Sequence, residues 1–312
     1  MKTISVIIPF FNEEDNLQKI YDELKVVRQS SLSQYRFEIL LMDNHSSDTS
    51  FEIASELAKK DDAVKVLRLS RNFGYQANIL SGFLNCSGDA AIQLDADGED
   101  DPHLIIQFIE KWEAGYDVVY GIRIRRSESW LLTFQRKAFY RILASISTLS
   151  IPVDAGDFRL LDRKVLTALS SFKEANPYLR GLIAYAGFRQ IGIPYSRRPR
   201  YRGVSKFSWW EYLSLALDGI TSFSAKPLKI ATWIGFGLSI FSLAASFYYL
   251  ILFFEGKVST PGFTTLILVM LLLAGVQLLC TGLIGTYIGA IFNEVKQRPR
   301  SIIEKKFPED KI

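Results

Sequence analysis

The sequence predicts an α/β protein: a Rossmann-type, mostly parallel sheet with helices on both faces, followed by interfacial amphipathic helices and a C-terminal two-helix transmembrane hairpin. Three observations carry this reading. Over residues 1–125, short β-branched runs alternate with longer amphipathic stretches, the pattern of right-handed βαβ units. The acids Asp43 and Asp95 end two of those runs, on the edge where open α/β sheets receive ligands. Two uncharged runs, 230–254 and 258–292, each exceed the roughly 20 apolar residues that span a bilayer.

Taken in order, "ISVIIP" reads as the first strand, with Asn12 capping a helix opened by Glu13, Glu14 and Asp15. "FEILLMD" is a second strand, followed by a helix from about Ser47 to Lys60. "VKVLRLS" is a third, and "AAIQLD" a fourth after a helix containing Gly82. A helix from Pro102 to about Ala114 leads into "YDVVYGI". Two later stretches suit a membrane surface: "WLLTFQRKAFYRILASI" from Trp130, and "FSWWEYLSLALDGITSF" from Phe207 with Trp209, Trp210 and Tyr212. The bland alternative for both is an amphipathic helix packed on the sheet.

The two apolar runs lie back to back, which favours a hairpin over buried core helices. Lys226 and Lys229 precede the first, and Lys296, Arg298, Arg300, Lys305 and Lys306 follow the second. Positive flanks at both outer ends place the globular part and both termini in the cytoplasm, in a multi-pass membrane protein. The domain expectation is therefore a cytoplasmic domain over 1–206, a juxtamembrane segment over 207–229, transmembrane helices near 230–254 and 263–292, and a basic tail over 293–312.

Composition excludes several classes. "ISVIIPF" is too short and too soon interrupted to be a signal peptide. Cys86 and Cys280 are the only cysteines, and His45 and His103 the only histidines, so neither a disulfide framework nor a cysteine- or histidine-rich metal centre is available. A net charge of +4 gives no reason to expect a nucleic-acid partner.

The densest chemical signal is "QLDADGEDDP", with five acids between Asp95 and Asp101. Like charges this close raise one another's pKa unless a cation or hydrogen-bond donors compensate. Asp100 and Asp101, before Pro102, suit a helix N-terminus. Asp95 and Asp97 suit it less well. At a strand end, an Asp-x-Asp pair can present oxygens to a hard divalent cation that also holds a phosphate.

"VIIPFFNEEDNL", "MDNHSSD", "LSRNFGYQANILSGF", "DADGEDDP", "AGDFRLLDR" and "YRGVSKFSWWEY" together resemble the successive motifs of family 2 glycosyltransferases. Within that family the chain is similar to the polyisoprenyl-phosphate branch, which includes dolichyl-phosphate mannose synthases and bacterial undecaprenyl-phosphate glucosyltransferases. The resemblance runs over nearly the whole chain, hairpin included.

The resemblance implies a GT-A fold in which a nucleotide-diphosphate sugar meets a lipid phosphate. Pro9, Phe11 and Glu13 match the first-strand motif that lines the nucleotide pocket; on its own Glu13 reads as a helix N-terminal acid. Asp43 matches the acid that meets base or ribose. Asp95 and Asp97 match the pair that holds Mg²⁺ or Mn²⁺, with Asp97 also counted as catalytic. Glu99 stands where the pattern commonly has Gln, leaving the third ligand's identity open, and Gly98 stands where it has Leu. Arg202 and Lys206 match positions that close over the diphosphate; charge placement alone would make them a membrane anchor. Arg123 and Arg136 match acceptor-phosphate residues, and Asp157 matches an acid described as base or acceptor-site residue. An already ionised acceptor favours orientation over proton abstraction for Asp157, the alternative being a structural partner of Arg159 or Arg163.

The implied activity is metal-dependent, inverting transfer of a sugar from a UDP-sugar to undecaprenyl phosphate. Glucose is the leading candidate, with galactose, N-acetylglucosamine, mannose or a modified arabinose open. A homo-oligomer also stays open. A processive synthase would carry Gln-x-x-Arg-Trp and more membrane helices, which this chain lacks. A nucleotide-sugar-binding tether without turnover would be expected to have lost Asp95 and Asp97.

Overall fold

The computed structural model describes residues 1–30, 32–123, 155–175, 177–198, 226–255 and 262–308. The expected amphipathic stretches, Arg136, Arg202 and Lys206 lie outside these residues.

Among the described residues, eight strands form one sheet in the order β7-β5-β6-β4-β1-β2-β3-β8. They are β1 (Thr3–Phe10), β2 (Arg36–Asp43), β3 (Val64–Leu69), β4 (Ala90–Gln93), β5 (Val118–Arg123), β6 (Ala155–Asp162), β7 (Gln190–Tyr195) and β8 (Ile303–Phe307). β4, β1, β2 and β3 run parallel, as do β5 and β7. β6 is antiparallel to both β4 and β5, and β8 is antiparallel to β3. The chain builds outward from β1 through β2 to β3, then returns to lay β4 on the other side of β1. That reversal opens a crevice beyond the carboxyl ends of β1 and β4.

Among the described residues, the helices of this unit are α1 (Leu17–Ser30), α2 (Ser50–Lys60), α3 (Tyr75–Asn85), α4 (Leu104–Glu113), α5 (Arg163–Ser171) and α6 (Leu179–Ala186). β1 is buried along seven of its eight residues, as expected of a strand covered on both faces. Ile4, Val6 and Ile8 join the core built with Leu17, Ile20 and Leu24 of α1 and Phe108 of α4. Phe108 stacks on Phe158 of β6 at 4.6 Å between ring centroids. On the opposite face, Gly82 lets α3 press against β1, since a Cβ there would run into Ile7.

Several helices start later than their sequence suggests. α1 begins at Leu17, and Asn12 is not its cap: at φ 56° its side-chain oxygen accepts from Ser47 N at 2.8 Å. α2 starts at Ser50 rather than Ser47, and α4 at Leu104 rather than Pro102. The polar residues ahead of α1 and α2 are spent joining the two loops. Asn12 N and Glu13 N donate to Ser46 Oγ and Ser50 Oγ, and Thr49 donates to Glu14.

The expected basic tail contributes a strand. Residues 297–308 belong to the same compact unit as the sheet, with β8 lying along the edge of β3. A short, lysine-bearing strand suits an exposed edge. The second unit contains α7 (Lys226–Phe254) and α8 (Phe263–Val295), which pack on each other. Both are long and apolar enough to cross a membrane, over Leu228–Ala245 and Leu272–Val295, and neither stretch is buried within the protein.

Candidate active site

The crevice at the β1/β4 reversal is lined by the residues that end the central strands. Alternation along β4 puts Gln93 and Asp95 on one side of the chain. Gln93 Nε2 donates to Asp95 Oδ1 at 2.7 Å, and the Tyr75 hydroxyl, at the start of α3, donates to the same oxygen at 2.5 Å. Asp97 is buried, with Oδ1 accepting from Glu99 N at 3.1 Å. Gly98 turns the loop at φ 74°, which only glycine adopts freely. Burial, then the charges of Asp100 and Asp97, push the Asp95 carboxyl up to about 7.

This concentration of carboxylate charge in a buried loop fits a hard divalent cation, which would stabilise the ionised forms of Asp95 and Asp97. Glu99, the candidate third ligand, forms an ion pair with Arg197. Among the described residues, no group of three or more acids, histidines or cysteines is arranged to hold a metal. Asp100, buried, accepts from the Tyr195 hydroxyl and from Arg197 Nε, so it serves the loop's attachment to the end of β7. Asp101 takes His103 N at 2.9 Å and pairs with Arg198 at 2.6 Å.

Asp157 enters from β6. The β4–β6 register pairs Ala90 with Asp162 and Gln93 with Arg159. Continued by two residues, it sets Asp157 across from Asp95, whose carboxyl feels the Asp157 charge. Arg180 of α6 binds Asp157 through two parallel bonds, Nε to Oδ1 and Nη2 to Oδ2, each 2.8 Å. Arg159 Nη2 lies 3.9 Å from Asp157 Oδ1 and donates to Gly156 O at 2.7 Å. The Arg123 guanidinium packs over Gly156, with Nε 3.5 Å from the Tyr195 hydroxyl. Burial opposes the Asp157 charge, but Arg180, Arg159 and Arg123 together hold its carboxyl below the usual range. Burial brings Arg159 down to about 10 despite the same carboxylate.

The nucleotide-end candidates cluster around β1 and β2. Pro9 is buried in β1, Phe11 is exposed beyond it, and Glu13 accepts from Asn16 Nδ2 at 2.6 Å. Asp43 is fully buried at the end of β2; Oδ1 accepts from Ser46 N at 2.8 Å, and burial raises its pKa against the pull of Ser46 and Arg68. Tyr75 lies within the motif "LSRNFGYQANILSGF" and Gln93 opens "QLDADGEDDP", but the sequence assigns neither a role, and Arg68 and Arg180 lie outside the family motifs.

The family described as Glycosyl transferase family 2 matches residues 5–169. The chain is 40% identical to an uncharacterized glycosyltransferase of Bacillus subtilis, YkcC, over 97% of this chain and 94% of that protein. It is 38% identical to an SfII prophage-derived bactoprenol glucosyl transferase of Shigella flexneri, over 97% of each chain. In structure it is similar to the mannosyltransferase PcManGT of Pyrobaculum calidifontis, solved with GDP-Man and Mn²⁺. The TM-score is 0.50 at 14% identity, covering 94% of this chain and 86% of that one.

Proposed function

The chain belongs to glycosyl transferase family 2 and is a glycosyltransferase, and from that premise we propose that it transfers glucose from UDP-glucose to a polyisoprenyl phosphate at the cytoplasmic membrane face, with inversion at the sugar carbon. The observation that carries the reading is the β4–β6 register, which sets Asp157, ringed by Arg123, Arg159 and Arg180, across from the Asp95–Asp97 loop. An acidic end suited to a cation and a basic end suited to phosphate thus share one crevice. The bactoprenol glucosyl transferase relative supports the choice of lipid and sugar, and the apolar α7 and α8 support a membrane location.

An oxygen of the lipid phosphate attacks the anomeric carbon as the bond from that carbon to the diphosphate breaks, and the electron pair leaves with UDP. A phosphate monoester has its second pKa near 6, so the acceptor is largely dianionic at neutral pH and no proton need be removed. Its requirement is placement, for which arginine forks are suited. Arg123 and Arg136 receive the phosphate, and Asp157 fixes the guanidinium groups around it. Pro9, Phe11, Glu13 and Asp43 line the nucleoside end, and Arg202 and Lys206 close over the diphosphate. Tyr75 and Gln93 orient Asp95. Mg²⁺ or Mn²⁺ held by Asp95 and Asp97 would supply Lewis-acid stabilisation of the charge growing on the diphosphate.

The purified chain in detergent, offered radiolabelled UDP-glucose, UDP-galactose, UDP-N-acetylglucosamine or GDP-mannose with undecaprenyl phosphate, tests the donor assignment. Label should enter lipid from UDP-glucose. Preferential use of another donor would replace glucose in this reading.

A further inference from the structure

We infer that Glu304 of β8 is a positioning residue for the nucleotide end of the site, acting through Arg68 on Asp43. The inference rests on the nucleotide-sugar reading above. The Arg68 guanidinium, near the end of β3, lies between two carboxylates: Nε is 3.4 Å from Asp43 Oδ2 and 3.8 Å from Glu304 Oε2. Arg68 Nε and Asp43 Oδ2 are both buried without a hydrogen-bond partner. Arg68 is held on its other sides by Ser46 O, 3.1 Å from Nη2, and by the Phe51 ring, 4.6 Å from the guanidinium carbon. The same Glu304 oxygen lies 3.7 Å from His45 Nδ1, which also approaches Leu69 O at 3.1 Å.

The strand geometry brings Glu304 to this place. β8 pairs Lys305 with Arg68 and Ile303 with Leu69, with an irregularity between them, and Ser70 N donates to Ile302 O at 2.9 Å. Glu304 therefore sits opposite the shift in register, beside the turn that follows β3.

An arginine facing one carboxylate tends to close into a fork that occupies both of its oxygens. Sharing the arginine with Glu304 holds it back from Asp43. Asp43 keeps one oxygen on Ser46 N and the other without a hydrogen bond, and a buried acceptor in that state gains most from a ligand that donates to it. A nucleoside offers such donors in its ribose hydroxyls and ring N–H. Removing the Glu304 charge lets Arg68 settle on Asp43 Oδ2 and compete with the nucleotide.

The test uses the full chain in detergent, with KM for UDP-glucose measured at saturating undecaprenyl phosphate and KM for the lipid at saturating UDP-glucose. Glu304→Gln should raise the nucleotide-sugar KM about tenfold, the scale of one charge-assisted hydrogen bond, and leave kcat and the lipid KM within about twofold. Lys306→Ala, on the same strand, should match wild type. In an Asp43→Asn background, Glu304→Gln should add less than about twofold, because the shared partner is already lost. Equilibrium dialysis of UDP-glucose gives the same comparison without turnover. An unchanged nucleotide-sugar KM in Glu304→Gln, an equal rise with Asp43 replaced, or a fall in kcat with both KM values raised would overturn the inference and leave the transferase assignment standing. A wild type that binds no UDP-sugar would remove both.

Discussion

Arg180 holds Asp157, the acid facing the Asp95 loop, with two parallel hydrogen bonds of 2.8 Å that occupy both of its oxygens. Its titration lies below the ordinary range once the three arginines offset burial. In saturating Mg²⁺, which would hold Asp95 ionised, the acidic limb of the rate profile, near pH 6, should therefore belong to the acceptor phosphate. Asp157→Asn should lower kcat/KM while leaving the shape of that profile unchanged. Loss of an enzyme-specific acidic limb in the variant would return Asp157 to the role of general base.

The same pair makes a stability prediction. A folded pKa below the unfolded value of about 3.9 gives stability that is complete above that value and fades as pH falls through the folded one. Arg180→Met should cost roughly 2–3 kcal/mol at pH 7, below the 3–5 of a fully buried pair because Arg180 keeps 28% exposure. Thermal melts from pH 8 to 3 should show a constant Tm gap down to about pH 4 and a narrowing one beneath it.

Removing the metal should silence the enzyme. Asp95→Asn and Asp97→Asn should each cut turnover about 100-fold or more, the loss expected if the ion supplies several kcal/mol. EDTA should abolish wild-type activity, and Mg²⁺ or Mn²⁺ should restore it. Full turnover in EDTA would contradict the assignment of Asp95 and Asp97.

The basic end should separate from the nucleotide end in kinetics. Arg123→Ala and Arg136→Ala should raise the lipid-phosphate KM while UDP-sugar binding, followed by equilibrium dialysis, stays within about twofold of wild type. Equal weakening of both substrates would place these arginines on the diphosphate instead.

Charge around the apolar helices predicts the topology. Protease added to sealed right-side-out vesicles should spare the sheet domain, because Lys226, Lys229 and the basic residues after α8 favour the cytoplasmic side. Cleavage of that domain from outside would reverse the orientation.

Asp43 and Asp95 are legible in the sequence because each ends an apolar strand, and strand ends at a sheet reversal face the ligand crevice. The apolar helices are equally legible from length and lack of charge. Arg180 is not, because nothing local links it to Asp157, 23 positions away; the strand register and α6 bring them together. The start of α1 misleads for a related reason. Asn12 and Glu14 look like a cap and first-turn acid, yet both are bonded across to the loop after β2. β8 escapes because "IEKKF" is short, charged and placed after the apolar runs, and its pairing with β3 is a contact across most of the chain. Nothing local links Glu99 to its ion-pair partner Arg197, which the segment after β7 supplies.

Direct transfer of glucose from UDP-glucose to a lipid phosphate, placed by arginines at the Asp95–Asp97 site, is the proposed reaction. It is tested most directly by following radiolabel from UDP-glucose into extractable lipid with the purified chain, Mg²⁺ and either undecaprenyl phosphate or undecaprenol. Undecaprenyl phosphate should yield a labelled lipid phosphodiester carrying the inverted anomer, undecaprenol should yield none, and the product should be lost in Asp95→Asn. Binding of UDP-glucose without any labelled lipid, or equal labelling of undecaprenol, would contradict it.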